Sequence, residues 1–314
     1  MIKRMLLPVI FFLAALTPLP SQYSLPSTGI LPFQASDDWG KKNRETVTSE
    51  LTTALGSYRF LKLVERSRMK EVMDEIGLGM AGVVDDRTAV KAGKIHGLQI
   101  MITGTAGRKR ISARAVHMET QRVIASATVE GLDKISLLGR SLAGGIEVFM
   151  ARENLKSLRN DSPDITLDFW AEKSGRTARV NRLRVGDSAV FHVRSNRDGY
   201  LTIVDIQPGG DVVILYPNDY VKTNRIQAGK LYSIPSPGDP FQILVSEPAG
   251  ADVLVAFFTE KPVDWLDRSK LSGEGFWSVK ENQKLELTRG FKVTSTKLNS
   301  RQWESKSLEI EVVK

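Results

Sequence analysis

The sequence contains no cysteine. Disulfides, zinc–cysteine sites and thiol nucleophiles are excluded, and no cysteine can carry the lipid that anchors envelope lipoproteins. Histidine is scarce. His96, His117 and His192 show no His-x-x-x-His spacing and no carboxylate placed as a co-ligand, so each is expected to be structural. No serine is framed as G-x-S-x-G, and neither H-E-x-x-H nor a Walker sequence occurs. An active site needs titratable groups that converge, and these spacings assemble none. The expectation is a protein without catalysis, cofactor, metal or small-molecule substrate.

The apolar run Met5–Leu16 has 12 residues, where a spanning helix needs about 20. It follows Lys3 and Arg4 and precedes Pro18, Pro20 and Ser21. This is the layout of a secretory signal, assigned to residues 1–21 with cleavage between Leu16 and Ser24. An uncleaved anchor is the alternative reading of the same run. Just beyond lies LPSTG (Leu25–Gly29), the pattern that wall-sorting transpeptidases cut. A sorting signal stands near a C-terminus, ahead of an apolar tail. Here the chain ends in SLEIEVVK, so LPSTG is expected to be a junction running into a strand.

Hydrophobic residues make up 41% and charged residues 25% of 314, an ordinary globular balance whose length suits two domains. Formal charge is +8, or +6 once Lys3 and Arg4 are removed, and it is dispersed. The one tight basic run, Arg108–Arg110, fits a strand end better than a nucleic-acid site in an exported protein.

Residues 25–158 alternate strand and helix signals. A strand is expected at Gly29–Phe33. Asp37 and Asp38 cap a helix with Val47, Leu51, Ala54 and Tyr58 on one face. Phe60–Arg66 alternates as a strand, and Ser67 caps a helix bearing Met69, Val72, Met73 and Ile76. A short helix at Asp86–Ile95 leads into the buried strand LQIMITGT. An antiparallel pair turns near Thr120–Gln121, and a long helix opens at Asp133 and ends near Leu158. Its stripe is Ile135, Leu138, Leu142, Ile146 and Phe149. Residues 159–164 (RNDSPD) read as a linker. From 165 to 314 the pattern is short strands with turns and no convincing helix, with Gly209–Gly210 as a hairpin, EPAGAD joining two strands, and a last strand at Leu308–Val313. The expected fold is two-domain α+β: an α/β sandwich with a mixed sheet, then an all-β sandwich. Each half is expected to fold alone.

The residues ILPF, FLKLVERSRMKEVMDE and GKIHGLQIMITGT resemble the curli secretion channel subunit (CsgG-like) family, from about Gly29 to Leu158. Leu98-Gln99 stands where that family commonly has Ala-Asp, and the membrane hairpins are not evident. LRVGDSAVFHVRSNRDGYLTIVDIQPGGDVVILYPN resembles a bacterial domain of unknown function found beside envelope, kinase-like and protease-like modules. Its marks are Val185–Asp187, Asp198–Leu201 and Leu215–Asn218, and the likeness runs from about Ile165 to Val263. The resemblances imply signature residues of structural role: Leu31, Pro32, Phe33, Glu65, Arg66, Gly93, Lys94, Gly97 and Gly104 in the first half. In the second they are Gly186, Asp187, Gly199, Tyr200, Pro217 and Asn218.

Other motifs have plain readings. GLGMAG (Gly77–Gly82) follows a helix rather than a strand, so it is a helix stop and not a dinucleotide turn. Asp205–Asp211 (DIQPGGD) lacks the ligand density of a calcium loop and reads as a polar turn. The function expected is a periplasmic, non-enzymatic scaffold or adaptor of an envelope assembly or secretion system. Its partners would be envelope proteins and further copies of itself, without nucleic acid and with at most peripheral contact at the outer membrane. The alternative is a curli-type channel subunit. Pore strands need about 9–11 residues with an apolar outer face. The best pair, Ile111–Met118 and Val123–Val129, is short, alanine-rich and broken by Arg114.

Overall fold

The computed structural model describes residues 25–65, 67, 69, 71, 97–263, 268–281 and 283–314. The signal segment 1–21, the helix expected at 86–95, GLGMAG, His96, Arg66, Gly93 and Lys94 lie outside the described residues.

The first half is a mixed sheet covered on one face by two helices. Its elements are β1 (Ser27–Ile30), β2 (Gln34–Ala35), α1 (Asp38–Gly56), β3 (Lys62–Leu63), β4 (Ile100–Ala106), β5 (Ile111–His117), β6 (Arg122–Val129) and α2 (Ile135–Lys156). The strand order is β3-β1-β4-β5-β6, with β2 also on β4. β1 is parallel to β3 and β4, while β4, β5 and β6 form an antiparallel meander. LPSTG therefore forms the start of a central strand. Thr28 and Gly29 are buried, Thr28 paired on both sides and Gly29 with Met101 of β4, where no transpeptidase could grip them. The strand begins two residues earlier than the apolar pattern suggested, because pairing rather than hydropathy sets its start.

Asp37 caps α1 as expected. Its Oδ1 accepts from Gly40 N at 2.7 Å, and Oδ2 accepts from Arg108 N at 2.9 Å. One carboxylate thus ties a helix start to the β4–β5 turn that carries Arg108–Arg110. Those bonds, Gly40 first, hold Asp37 below the usual carboxylate range. The strand expected at Phe60–Arg66 is shorter. Only Lys62–Leu63 pairs, with Val64 N still donating to Thr28 O, before Glu65 O accepts from Met69 N. The long helix keeps its predicted bounds closely. Ile135, Leu138, Leu142 and Ile146 are buried under the sheet, while Phe149 is half-buried against the His117 ring.

The second half is a β-sandwich. One sheet holds β7 (Leu167–Lys173), β8 (Arg179–Val180), β10 (Ser188–Ser195), β14 (Leu231–Ile234) and β15 (Ile243–Leu244). The larger sheet holds β9 (Arg182–Arg184), β11 (Gly199–Ile206), β12 (Val212–Tyr216), β13 (Arg225–Ile226), β16 (Gly250–Thr259), β17 (Leu271–Ser272), β18 (Trp277–Val279) and β19 (Trp303–Val313). Gly209–Gly210 turns β11 into β12 as expected. EPAGAD carries the chain from one sheet to the other rather than closing a hairpin. The last strand starts five residues before Leu308, and its partner is β16 along its length.

A helix does occur in this half, contrary to the all-β expectation. α3 (Lys284–Lys297) buries Leu285, Leu287, Thr288, Phe291 and Ser295. Two of those five are hydroxyl residues, and the segment contains Gly290, Val293 and three threonines. Weak helix formers and a polar stripe hid it.

The larger sheet is covered on both faces. Phe169, Phe191, Leu201, Leu254, Phe258 and Ile310 fill the space between the sheets. On the other side Val204, Ile214, Val255 and Phe257 meet α3 and the last turns of α2, through Ala151 and Leu155. Burial on both faces explains why β12 and β16 read as unbroken apolar runs.

The two architectures change at 159–164, but packing does not stop there. α2 is 22 residues long, about 33 Å at 1.5 Å per residue. Its first part belongs to the α/β core and its last turns to the sandwich core. Asn160 is buried and donates to Ser300 O at 2.6 Å and Trp303 O at 2.7 Å, while Ser305 Oγ donates to Leu158 O at 2.7 Å.

Candidate functional site

Most of the described signature residues pack in a core or hold a turn. Leu31 and Phe33 leave the sheet on opposite sides, with exposed Pro32 between them. Phe33 lies under α1, its N–H on Thr48 Oγ1 at 3.1 Å. A Cβ on Gly104 would stand 2.4 Å from the Phe33 ring and 2.5 Å from Ser112 O. Gly104→Ala should therefore cost about 1–3 kcal/mol, the range for overpacking, read as a shift in the urea midpoint. An unchanged midpoint would mean that β4 and β5 can part at no cost. Gly97 takes φ +67 entering β4, and the Glu65 side chain is exposed.

In the second half, Gly186 takes φ +88 in the VGD turn. Asp187 closes that turn, accepting from Arg184 N at 2.9 Å and pairing with Lys173, which holds its carboxyl low. Gly199 leaves no room for a side chain, since a Cβ would meet the Phe258 ring at 2.3 Å. Tyr200 continues β11 beside it and is half-buried. Pro217 follows a cis peptide, and Asn218 is fully buried. Asn218 Nδ2 donates to Leu215 O at 2.9 Å, and its Oδ1 accepts from Tyr220 N and Val221 N.

Two grooves stand out among the described residues. The face of the first sheet opposite α1 and α2 holds a groove of about 560 Å³ among the described residues. Its floor is Thr103, Thr105, Ser112, Arg114, Ser126 and Thr128, and Leu31 and Pro32 stand at its side. Ser112 Oγ and Thr128 Oγ1 lie 3.0 Å apart, and Arg114 Nε donates to Thr103 Oγ1 at 3.3 Å. β6 borders this face and pairs only with β5 among the described residues, leaving a row of backbone groups at an edge. A second groove of about 770 Å³ runs along α2 between the halves, with Arg122, Arg140, Arg152 and Lys284 facing Glu147 and Glu281. Glu147 is buried, and its Oε1 accepts from Leu285 N at 3.2 Å, placing negative charge at the start of α3.

A buried charged cluster lies behind that groove. Arg152 of α2 donates to Gln207 O at 2.5 Å and approaches Asp205 of β11 and Asp252 of β16. Burial is the main force on all three. It pushes Asp205 well above the carboxylate range, and Asp252 adds to the push while Gln207 and Arg152 oppose it. Burial raises Asp252 to about 6 against the pull of Arg152, and it lowers the Arg152 guanidinium. A raised acid holds its proton longer in the folded state. It favours folding below its unfolded value of 3.8, and that contribution is lost as pH rises through about 6. The charged groups facing Asp252 are Arg152 and Asp205, with Glu309 of β19 acting on Arg152. Asp252→Asn should gain on the parent as pH rises from about 4 to about 7. Urea unfolding across that window checks it, and a pH-independent difference would refute the titration.

DIQPGGD does form the expected turn, but Asp205 points into the sandwich while Asp211 is exposed beside Lys284, 3.8 Å away. The sequence reading missed Arg152, Asp252 and the isolation of Asp205. The available signal was a carboxylate inside the apolar run YLTIVDI. His192 stacks on Trp170 and lies 3.3 Å from Glu172 Oε2, a cross-strand neighbour that linear spacing does not show. His117 Nδ1 lies 3.0 Å from Thr120 Oγ1, and burial lowers its pKa. Among the described residues no group of three or more His, Cys, Asp or Glu is placed to hold a metal.

No curated protein matches the chain. Among solved structures it is similar to the LpoB C-terminal domain from Salmonella enterica, at 13% identity over 35% of this chain and 85% of that one, with a TM-score of 0.29. It is also similar to lipoprotein GNA1162 from Neisseria meningitidis, at 17% identity over 34% and 81%, TM-score 0.25. A third is the PelC dodecamer from Paraburkholderia phytofirmans, at 7% identity over 38% and 86%, TM-score 0.25. Scores of this size carry nothing about partners. Residues 182–262 match a domain of unknown function, DUF4384, and residues 31–107 match the curli production assembly/transport component CsgG, so a CsgG-like region precedes a domain of unknown function in one chain.

Proposed function

We infer that the chain is a non-enzymatic adaptor of the cell envelope, exported to the periplasm, that holds protein partners in a fixed relative placement. The observation that carries this reading is α2, whose two ends are buried in two different cores. A helix shared in this way makes the α/β unit and the sandwich move together, as an adaptor requires. The CsgG match over 31–107 supports an envelope setting, and the hydroxyl-lined groove beside β6 offers a docking surface. No described helix is long and apolar enough to cross a membrane. The β5–β6 pair suits a pore poorly. One face packs under α2, and the other carries Ser112, Arg114, Ser126 and Thr128.

Photo-crosslinkers at Thr105 and Ser126 are expected to trap envelope proteins that one at Glu50, on exposed α1, does not. Fractionation should find a periplasmic form shortened by about 16–24 residues, released by a high-salt carbonate wash and silent in planar bilayers. Retention through the wash with stepwise conductance would replace the adaptor by a channel subunit. A full-length cytoplasmic pool as the main species would remove the periplasm.

A further inference from the structure

The sandwich is not filled to its end. Where β11 turns toward β12, a pocket of about 280 Å³ opens between the two sheets. Phe191, Leu254 and Ile310 form its buried apolar wall, and Gln242 and Glu247 stand exposed at the rim. Asp205 and Asp252 line the same space. They come from adjacent strands, two residues apart in register, since Asp205 pairs with Leu254. Asp205 is 7% exposed, and the Oδ1 atoms of both acids are buried without a hydrogen-bond partner. Arg152 does not satisfy them. It spends a donor on Gln207 O, and its own Nε is left unpaired.

Two unpaired acceptors lining a pocket with an apolar wall call for a donor on an apolar stem. Leaving such groups unpaired in a low dielectric is costly. We propose that this pocket binds an ammonium or guanidinium group carried on a short aliphatic stem. The stem would lie along Phe191, Leu254 and Ile310, and the cationic head would donate to Asp205 and Asp252. A pocket this size admits one side chain or a small amine and little more. The ligand is either a free amine or the lysine or arginine side chain of a protein. Because burial raises both carboxyls, Asp252 to about 6, binding of a cation would displace a proton from the pair. Arg152 and Glu309 act on that titration, and the exposed Glu247 stands at the rim.

The test is calorimetric and NMR titration of the whole processed chain with n-pentylammonium and n-pentylguanidinium, using n-hexanol as the neutral control. A capped Gly-Lys-Gly peptide forms a further arm. The cations should bind saturably and shift resonances of Leu254 and Ile310, while hexanol should bind at least about tenfold more weakly, about 1.4 kcal/mol. Binding should weaken about tenfold from about pH 7.5 to about pH 5, as Asp252 takes up its proton. Asp252→Asn, which removes a charge without changing shape, should keep the fold by circular dichroism and lose both the affinity and the pH dependence. Tighter binding by the peptide points to a protein side chain, and binding by the free amines alone points to a small molecule. No saturable binding by either cation, equal binding by hexanol, or full binding by Asp252→Asn would overturn the site.

Discussion

Replacing Phe291 by alanine is expected to destabilise the chain by about 3–5 kcal/mol, the range for deleting a buried aromatic. The effect should appear in both halves at once. Phe291 is fully buried on α3, and its ring meets Phe257 edge-on with centroids 5.3 Å apart. The same cluster holds Ala151 and Leu155 of α2. The cavity would therefore open between a helix that belongs to the sandwich and a helix that also covers the α/β sheet. Tryptophans report from each side: Trp39 packs on the first core, and Trp277 and Trp303 lie in the second. Urea unfolding of single-tryptophan variants should show both reporters moving to lower midpoints together. A shift seen only by Trp277 and Trp303 would mean that the two cores unfold separately and that α2 does not join them.

How far the sequence foretold this arrangement depends on where each signal lies. The apolar stripe of α2 and the cap at Asp37 are local, because a helix face and a side-chain-to-backbone bond need only a few consecutive residues. Both stand as read. α3 was hidden because two of its five buried residues are threonine and serine, whose burial depends on tertiary neighbours such as Asn154, whose Nδ2 reaches Thr288 Oγ1 at 3.4 Å. β3 was overextended, since alternation continues past the point where β1 runs out of partners. The buried acids were the hardest to see. Asp205 and Asp252 are 47 positions apart, Arg152 is further still, and only the β11–β16 register and the path of α2 bring them together. A linear reading also made 159–164 a linker on composition. The burial of Asn160 and Leu158 against the last strand could not be read from polarity alone.

That junction gives the second large expectation, from dividing the chain between Arg159 and Asp164. Composition suggested two independent folds, and the sandwich core itself argues against one of them. A fragment of residues 165–314 keeps both sheets and α3 but loses Ala151, Leu155 and Leu158, which cover part of the larger sheet's outer face. It also strands Ser300 O and Trp303 O, which take their bonds from Asn160, and Ser305 Oγ, which bonds Leu158 O. Buried groups left without partners cost about 1–3 kcal/mol each, and typical total stabilities are about 5–15 kcal/mol. The piece is therefore expected to be molten or to aggregate. The fragment 25–158 should fare better, since its core of Val47, Leu51, Ile100, Ile102, Leu138 and Leu142 lies wholly within it. Only the end of α2 would be bared. A fragment starting at 146 restores the missing turns to the sandwich, and it should recover solubility and a cooperative thermal transition. The comparison is made by sedimentation and calorimetry of the three pieces beside the whole chain. A monomeric 165–314 that melts as sharply and as high as the whole chain would show that α2 adds nothing to the sandwich, and the rigid adaptor would lose its support.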